Sequence, residues 1–361
     1  MKKIITLMLV LVLAFSFVGC QDKKDEEVKD NITEVVEEKN GEEAKAEEES
    51  TNETIKDGEI NVVAAFGNSE DIFAKFTEET GIKVNFLDMS SGEVLARVEA
   101  EGGTPVADVW FGGGVDSFIS AADKELLEPY VSENTENVPE NFKDQNGYWT
   151  ANTLTVVGFI ANEEVLNDKE LPIPTTWEEL ADPKYKGEVI MSDPSISGTN
   201  YGVVNCILQS MGEDKGWSYL ESLVKNIEYF GKRGSEPSKK TIAGEYGVGI
   251  TYVDETITKL ADTYPVKIVF PEDGVPSAPG CTAIFKNAAN VDAAKIFVDW
   301  VFKTETQNYL RDLNGLVMVR KDIEPLETLK IPDGKLLTVD YTRFGAERDM
   351  ILEKWSQMLE Q

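Results

Sequence analysis

The chain changes rhythm twice. Ile4–Val18 is uncharged and mostly apolar, and residues 21–58 hold few large apolar side chains. From residue 59 onward, short apolar runs alternate with stretches whose apolar positions recur every three or four residues. That alternation predicts strands and helices in turn. Ile60–Phe66 reads as a strand, Glu70–Thr80 as a helix capped by Ser69 and stopped by Gly81, and Ile82–Leu87 as a second strand. Gly92–Glu101 is the next helix, closed by Gly102-Gly103. Asp108–Phe111 is a third strand, running into Gly112-Gly113-Gly114. The β-α-β-α-β order predicts a parallel sheet, with ligands at the carboxyl ends of its strands. Two turns stand at such ends: Phe66–Ser69 and Gly112–Gly114.

Further on, Leu154–Ala161 reads as a long strand crossing between two lobes, with Val266–Phe270 as the return. Between them lie a capped helix at Thr176–Leu180, a strand at Val189–Met191, helices at Tyr201–Met211 and Lys215–Ile227, and a strand at Gly247–Tyr252. Helices at Asn287–Phe302, Thr304–Leu313 and Ala346–Leu359 follow. About 300 residues suffice for two α/β lobes. The expected division is 59–155 with 267–320 in one lobe, 156–266 in the other, and 321–361 as a C-terminal helical segment packed on both.

The start of the chain is addressing rather than fold. Lys2 and Lys3 precede the apolar run, which ends at Gly19-Cys20. The run is short for a membrane span and has the layout of an export signal over residues 1–20. The small residue before Cys20 resembles a bacterial lipoprotein cleavage box, so Cys20 is the expected lipidation site. Residues 21–58 carry 15 acidic and 6 basic residues and no aromatics. They are expected to form a disordered tether. The whole chain has a formal charge of −31, which argues against nucleic acid and anionic lipid as partners. Any anion site must therefore be local. No histidine occurs, which removes Ser-His-Asp and Cys-His catalysis and the commonest metal ligand. After Cys20 only Cys206 and Cys281 remain. Cys206 falls on an apolar helix face and reads as a buried thiol; pairing with Cys281 stays open.

The stretch that organises the candidate chemistry is Ser192–Tyr201, a strand-to-helix turn with hydroxyls and a glycine at the helix start. Ser197 or Thr199 can cap the helix, and Gly198 lets backbone approach a ligand. Free N–H groups and the positive dipole end make such a turn an anion seat. An ordinary capped helix has the same signature, so the company it keeps decides.

That company is ordered. TEETGIKVNF (77–86), RVEAEGGTPVADVWFGGGVDSFISAADKELLEPY (97–130), PTTWEELADPKYKGEVIMSDPSISGTNY (174–201) and GEYGVGITYVDE (244–255) follow one another. Together they resemble extracellular solute-binding proteins of bacterial ABC importers, in the group of ferric-iron, hexose-phosphate and aminoethylphosphonate binders. The resemblance covers about residues 59–320. It implies the two-lobe type II periplasmic-binding-protein fold. Each lobe would be a mixed, mostly parallel sheet flanked by helices, hinged by two crossing strands. It also implies an ABC permease and ATPase as partners, a lipid anchor at the membrane outside the cytoplasm, and a monomer with no cofactor.

Within that frame, an anionic organic solute would be held by backbone at Gly112, Gly113, Gly114 and Gly198. Ser197, Thr199 and Ser235 would add hydroxyls, Arg233 a charge, and Asn68 would close the site from the first lobe. Tyr252 would form a wall, and Asp254 or Glu255 would take an amine or sugar hydroxyls; both acids also suit a helix N-terminus. The alternative ligand is ferric iron, with Tyr201 and Tyr252 as phenolate donors. The tyrosine pair and histidine usual in that branch are absent here. An enzyme on the same fold is a further alternative, disfavoured by the lack of a nucleophile–base pair. A surface adhesin is another, disfavoured by glycine and hydroxyl turns facing a cleft. Cys20→Ala is expected to release the protein from the membrane fraction of cells; a variant that stays membrane-bound would remove the anchor.

Overall fold

The computed structural model describes residues 58–102, 104–329 and 331–360. The signal run, Cys20 and the tether up to residue 57 lie outside the described residues. In the first part, β1 (Glu59–Ala64), α1 (Ser69–Thr80), β2 (Lys83–Asp88), α2 (Ser91–Ala100), β3 (Val109–Gly114), α3 (Val115–Asp123) and β4 (Leu127–Glu128) follow in order. Then come β5 (Thr150–Asn162), α4 (Glu163–Asp168), α5 (Trp177–Leu180), β6 (Val189–Ser192), α6 (Gly198–Met211), α7 (Glu213–Val224) and β7 (Ile227–Gly231). Next are α8 (Glu236–Ile242), β8 (Val248–Tyr252), α9 (Glu255–Leu260), β9 (Val266–Val269) and β10 (Ser277–Phe285). The chain finishes with α10 (Val291–Val301), α11 (Thr304–Asn314), β11 (Val317–Met318), α12 (Thr342–Ala346) and α13 (Arg348–Leu359).

The strands join in the order β2-β1-β3-β10-β5-β8-β6-β7, with β4 on β10 and β9 and β11 on β5. β1 runs parallel to β2 and β3, and β6 parallel to β7 and β8. The centre is antiparallel. β5 is the joint. Its residues 150–156 pair with β10, and 157–162 pair with β8 or β9. At about 3.3 Å per residue it is roughly 40 Å long, enough to serve two sheets.

The sequence pattern places the return crossing at Val266–Phe270. In the structure β9 pairs only with Phe159–Asn162, and the chain continues through Pro276 into β10, which reaches β3. β10 reads SAPGCTAIF and is buried along its whole length between β3 and β5. A strand buried on both faces shows no alternation, and Pro279 and Gly280 mask what signature is left. The C-terminal segment is helical only from Thr342 onward; Pro325, Pro332 and Asp333-Gly334 punctuate an irregular run before it.

Aromatic rings fix the layers. Phe73, Phe76, Phe111, Phe297 and Trp300 stack edge-on or tilted with centroids 5.0–6.0 Å apart, seating α1 and α10 on β3. In the second sheet Trp177 meets Phe159 edge-on at 4.7 Å. Such rings each bury a large apolar area. Cys206 and Cys281 are both free and fully buried, and burial pushes the Cys206 thiol up to about 12. Neither thiol is expected to react with Ellman's reagent in the native protein, and both should react in denaturant; fast native labelling at either would contradict this burial.

Candidate ligand-binding site

Six helices begin at the wall of one cavity of 420 Å³. Each follows the carboxyl end of a strand, or a short turn after one. Asn68 precedes α1 in the left-handed region, φ 52 and ψ 36, which asparagine tolerates better than most residues. Ser90 caps α2 in a reciprocal box, its backbone N–H donating to Glu93 Oε2 at 2.9 Å. Gly114 precedes α3. Ser197 caps α6, its Oγ accepting from the Asn200 N–H at 3.4 Å, which leaves the hydroxyl proton for another acceptor. Ser235 precedes α8, and Asp254 caps α9 by accepting from the Ile257 N–H at 2.7 Å.

The two sheets meet across this cavity. Gly92 N–H donates to the Ile196 carbonyl at 3.1 Å, Ser90 Oγ to the Lys232 carbonyl at 3.1 Å, and the Arg233 guanidinium to the Asp88 carbonyl at 2.9 Å. Gly114 and Gly198 touch: a Cβ on Gly198 would stand 2.9 Å from the Gly114 nitrogen. Only glycine fits at either place.

Most of the residues singled out from sequence lie on this wall. Asn68, Gly113 and Gly114 line it from the first sheet; Ser197, Gly198 and Thr199 from α6. Arg233, Ser235, Tyr252 and Asp254 complete it. The Asn68 Nδ2 is committed along the wall, donating to Asn314 Oδ1 at 3.0 Å and the Leu313 carbonyl at 3.4 Å. Two expectations fail on placement. Gly112 is absent from the cavity wall; its φ is 84, and a Cβ there would strike the Ala65 carbonyl oxygen at 2.8 Å. Tyr201 is fully buried, its hydroxyl donating to the Phe344 carbonyl at 2.6 Å, and it is absent from the cavity wall. Tyr201 and Tyr252 therefore do not face one another across the site. The other acid, Glu255, pairs with Lys259 at 2.7 Å and does not line the cavity.

Several wall residues escaped the sequence reading. Ser90 and Ser91 stand opposite α6; the Ser90…Glu93 spacing was the available signal. Thr153 and Thr155 are hydroxyls on β5 beside the apolar run that began the predicted strand. Lys239 and Asn314 gave no signal, because only the fold brings α8 and the end of α11 here.

The charge balance is local and positive. Among the described residues the wall carries Arg233 and Lys239 against one carboxylate, Asp254. Burial pushes Asp254 up to about 6, opposed by the N–H groups of Ile257 and Thr256. Burial also pushes the Tyr252 phenol up, so it is a neutral donor. Among the described residues no three His, Cys, Asp or Glu side chains gather as a metal-ligand set.

Two α/β sheets hinged at β5, with helix N-termini lining the cleft between them, define a type II periplasmic binding protein. The chain belongs to the bacterial extracellular solute-binding protein family, whose pattern matches residues 104–338. The periplasmic binding protein AfuA from Actinobacillus pleuropneumoniae, solved with fructose 6-phosphate bound, is 30% identical. It superposes with a TM-score of 0.79 over 84% of this chain and 99% of that one. Iron uptake protein A1 of Synechocystis is 28% identical over 71% of this chain and 74% of its own length. A putative 2-aminoethylphosphonate-binding periplasmic protein of Salmonella typhimurium is 25% identical over 70% of this chain and 74% of its own. This protein is thus the solute-binding component of an ABC-type importer, acting outside the cytoplasm on a small solute.

Because the folded protein holds a proton on Asp254 that the unfolded chain, at the ordinary 3.8, releases, stability should fall as pH rises from about 4 to about 6. Asp254→Asn keeps a capping oxygen and is expected to remove that slope, raising stability at pH 7 by on the order of 2–3 kcal/mol. Urea unfolding at pH 4 and pH 7 checks it; parallel pH profiles for both proteins would refute it.

Proposed function

We propose that the chain captures a small organic phosphate or phosphonate in this cleft and delivers it to its permease. The supporting observation is the meeting of six helix N-termini with Arg233 and Lys239 on one wall. Positive dipole ends at helix N-termini select an anion. Ser197, Gly198 and Thr199 would hold the anionic head against Gly113, Gly114 and Ser91. Arg233 and Lys239 would neutralise it. Tyr252 and the β5 threonines would contact the rest of the molecule. The role is capture rather than conversion, in keeping with the solute-binding family and a chain without histidine.

The sequence division put 267–276 in the first lobe; since β9 pairs with Phe159–Asn162, the lobes in this reading are 59–155 with 277–320, and 156–276, closing about β5 and the β9–β10 return. Cys20 carries the lipid that keeps the domain at the membrane. A ferric-iron role, suggested by the Synechocystis relative, would have to work without the Tyr201 phenol, whose hydroxyl is spent on Phe344.

Thermal-shift titration of metal-free protein tests this with fructose 6-phosphate, 2-aminoethylphosphonate, inorganic phosphate and ferric citrate. A ligand at 100 times its dissociation constant should add about 2.7 kcal/mol. Stabilisation by an organophosphate and none by iron is expected; the reverse would replace this reading with the iron one. Ser197→Ala with Thr199→Ala should weaken the organophosphate by about 2–4 kcal/mol, read by calorimetry. Unchanged affinity would remove α6 from the site.

A further inference from the structure

Behind the cavity wall lies a buried ion pair whose members come from distant parts of the chain. Asp116 sits in the first turn of α3, two residues past Gly114, and is 1% exposed. Arg348 opens α13 and is 7% exposed. Arg348 Nε donates to Asp116 Oδ2 at 2.9 Å, and the Ser117 hydroxyl donates to the same oxygen at 3.0 Å. Another arm of the guanidinium reaches the Ser195 carbonyl at 3.5 Å, in the turn that delivers Ser197 to the cavity. Its plane lies over the Tyr201 ring, 5.8 Å from the centroid. Asp116 Oδ1 has no partner and faces Gly114, where a Cβ would come within 2.5 Å of it.

The rest of the C-terminal segment has the same divided attachment. α12 packs on α3, with Gly345 directly against Ile119. α13 packs on the second sheet, with Trp355 edge-on to Phe230 at 5.7 Å and Lys354 over Trp217 at 4.5 Å. A buried ion pair is a poor device for stability alone, because desolvation cancels most of its attraction. What Arg supplies that an apolar residue cannot is a rigid fork with donors in two directions. Here one direction is the first turn of α3, two residues past Gly114, and the other is the turn before α6, so the guanidinium joins the segments on which Gly114 and Gly198 touch at the cavity.

We propose that Arg348 is a positioning residue for solute capture: it sets the separation of the Gly113–Gly114 and Asp193–Gly198 turns, and so makes the C-terminal helix part of the binding machinery without touching the ligand. The choice of probe rests on the organophosphate reading; the geometry does not.

The test compares full-length wild type with Asp116→Asn/Arg348→Gln, which removes both charges together, and with Arg348→Lys, which keeps the charge but not the fork. Arg348→Gln alone would strand a buried carboxylate and risks unfolding, so the double variant carries the test. It should melt within a few degrees of wild type, yet bind fructose 6-phosphate at least tenfold more weakly. Its amide hydrogens should exchange faster in peptides covering 112–117 and 193–199, but not in β1. Arg348→Lys should fall between the two. Wild-type affinity and wild-type exchange in the double variant would overturn the proposal. If no organophosphate binds wild type, the anion reading fails and exchange alone decides: faster at both turns supports Arg348, unchanged overturns it.

Discussion

The contact of Gly114 with Gly198 is the constraint on which the site depends. Gly114 ends β3 of the first sheet and Gly198 opens α6, which follows β6 of the second, and they meet closely enough that neither tolerates a Cβ. The contact brings the start of α3 against the start of α6, and Gly92 N–H on the Ile196 carbonyl brings α2 into the same corner. Three helix dipoles then point into one space from three directions. An anion there interacts with fixed N–H groups that need little reorganisation to receive it. The arrangement explains how a chain with a formal charge of −31 can offer an anion site at all. Among the described residues the cavity wall keeps two cations to one carboxylate, and the other acidic residues lie off it.

Asp254 shows the cost of that arrangement. It caps α9 well, but it is a buried acid on a wall otherwise suited to anions, and burial raises its pKa to about 6. The cap and the neighbouring N–H groups of Ile257 and Thr256 offset part of that desolvation.

Much of this was legible in the sequence because the signals are local. Strand, turn and helix follow one another in the first lobe with little ambiguity, and a cap at Ser197 or Thr199 could be read from Ser-Gly-Thr after a short apolar strand, of which the structure uses Ser197. Ten of the twelve residues singled out for the organic ligand line one cavity, Gly112 and Glu255 being the exceptions. What was illegible is non-local. β10 carries Pro and Gly and is buried on both faces, so it has neither composition nor alternation to announce it. Lys239 and Asn314 reach the wall only through the tertiary fold. Tyr201 looked available because its helix starts at the site, but the helix turn carries its ring to α12, which a one-dimensional pattern cannot foresee.

β5 has a mechanical consequence. One unbroken strand belongs to both sheets, and its partners change at Val156–Val157. The two sheets therefore cannot slide past one another; relative motion must be a twist of the ribbon at that change of partners, with ladder bonds on either side kept. A torsional joint of this kind has one soft coordinate and stiff ones around it. The size of the captured molecule would then be read out as an angle, which is the quantity a membrane partner gripping both lobes is able to sense.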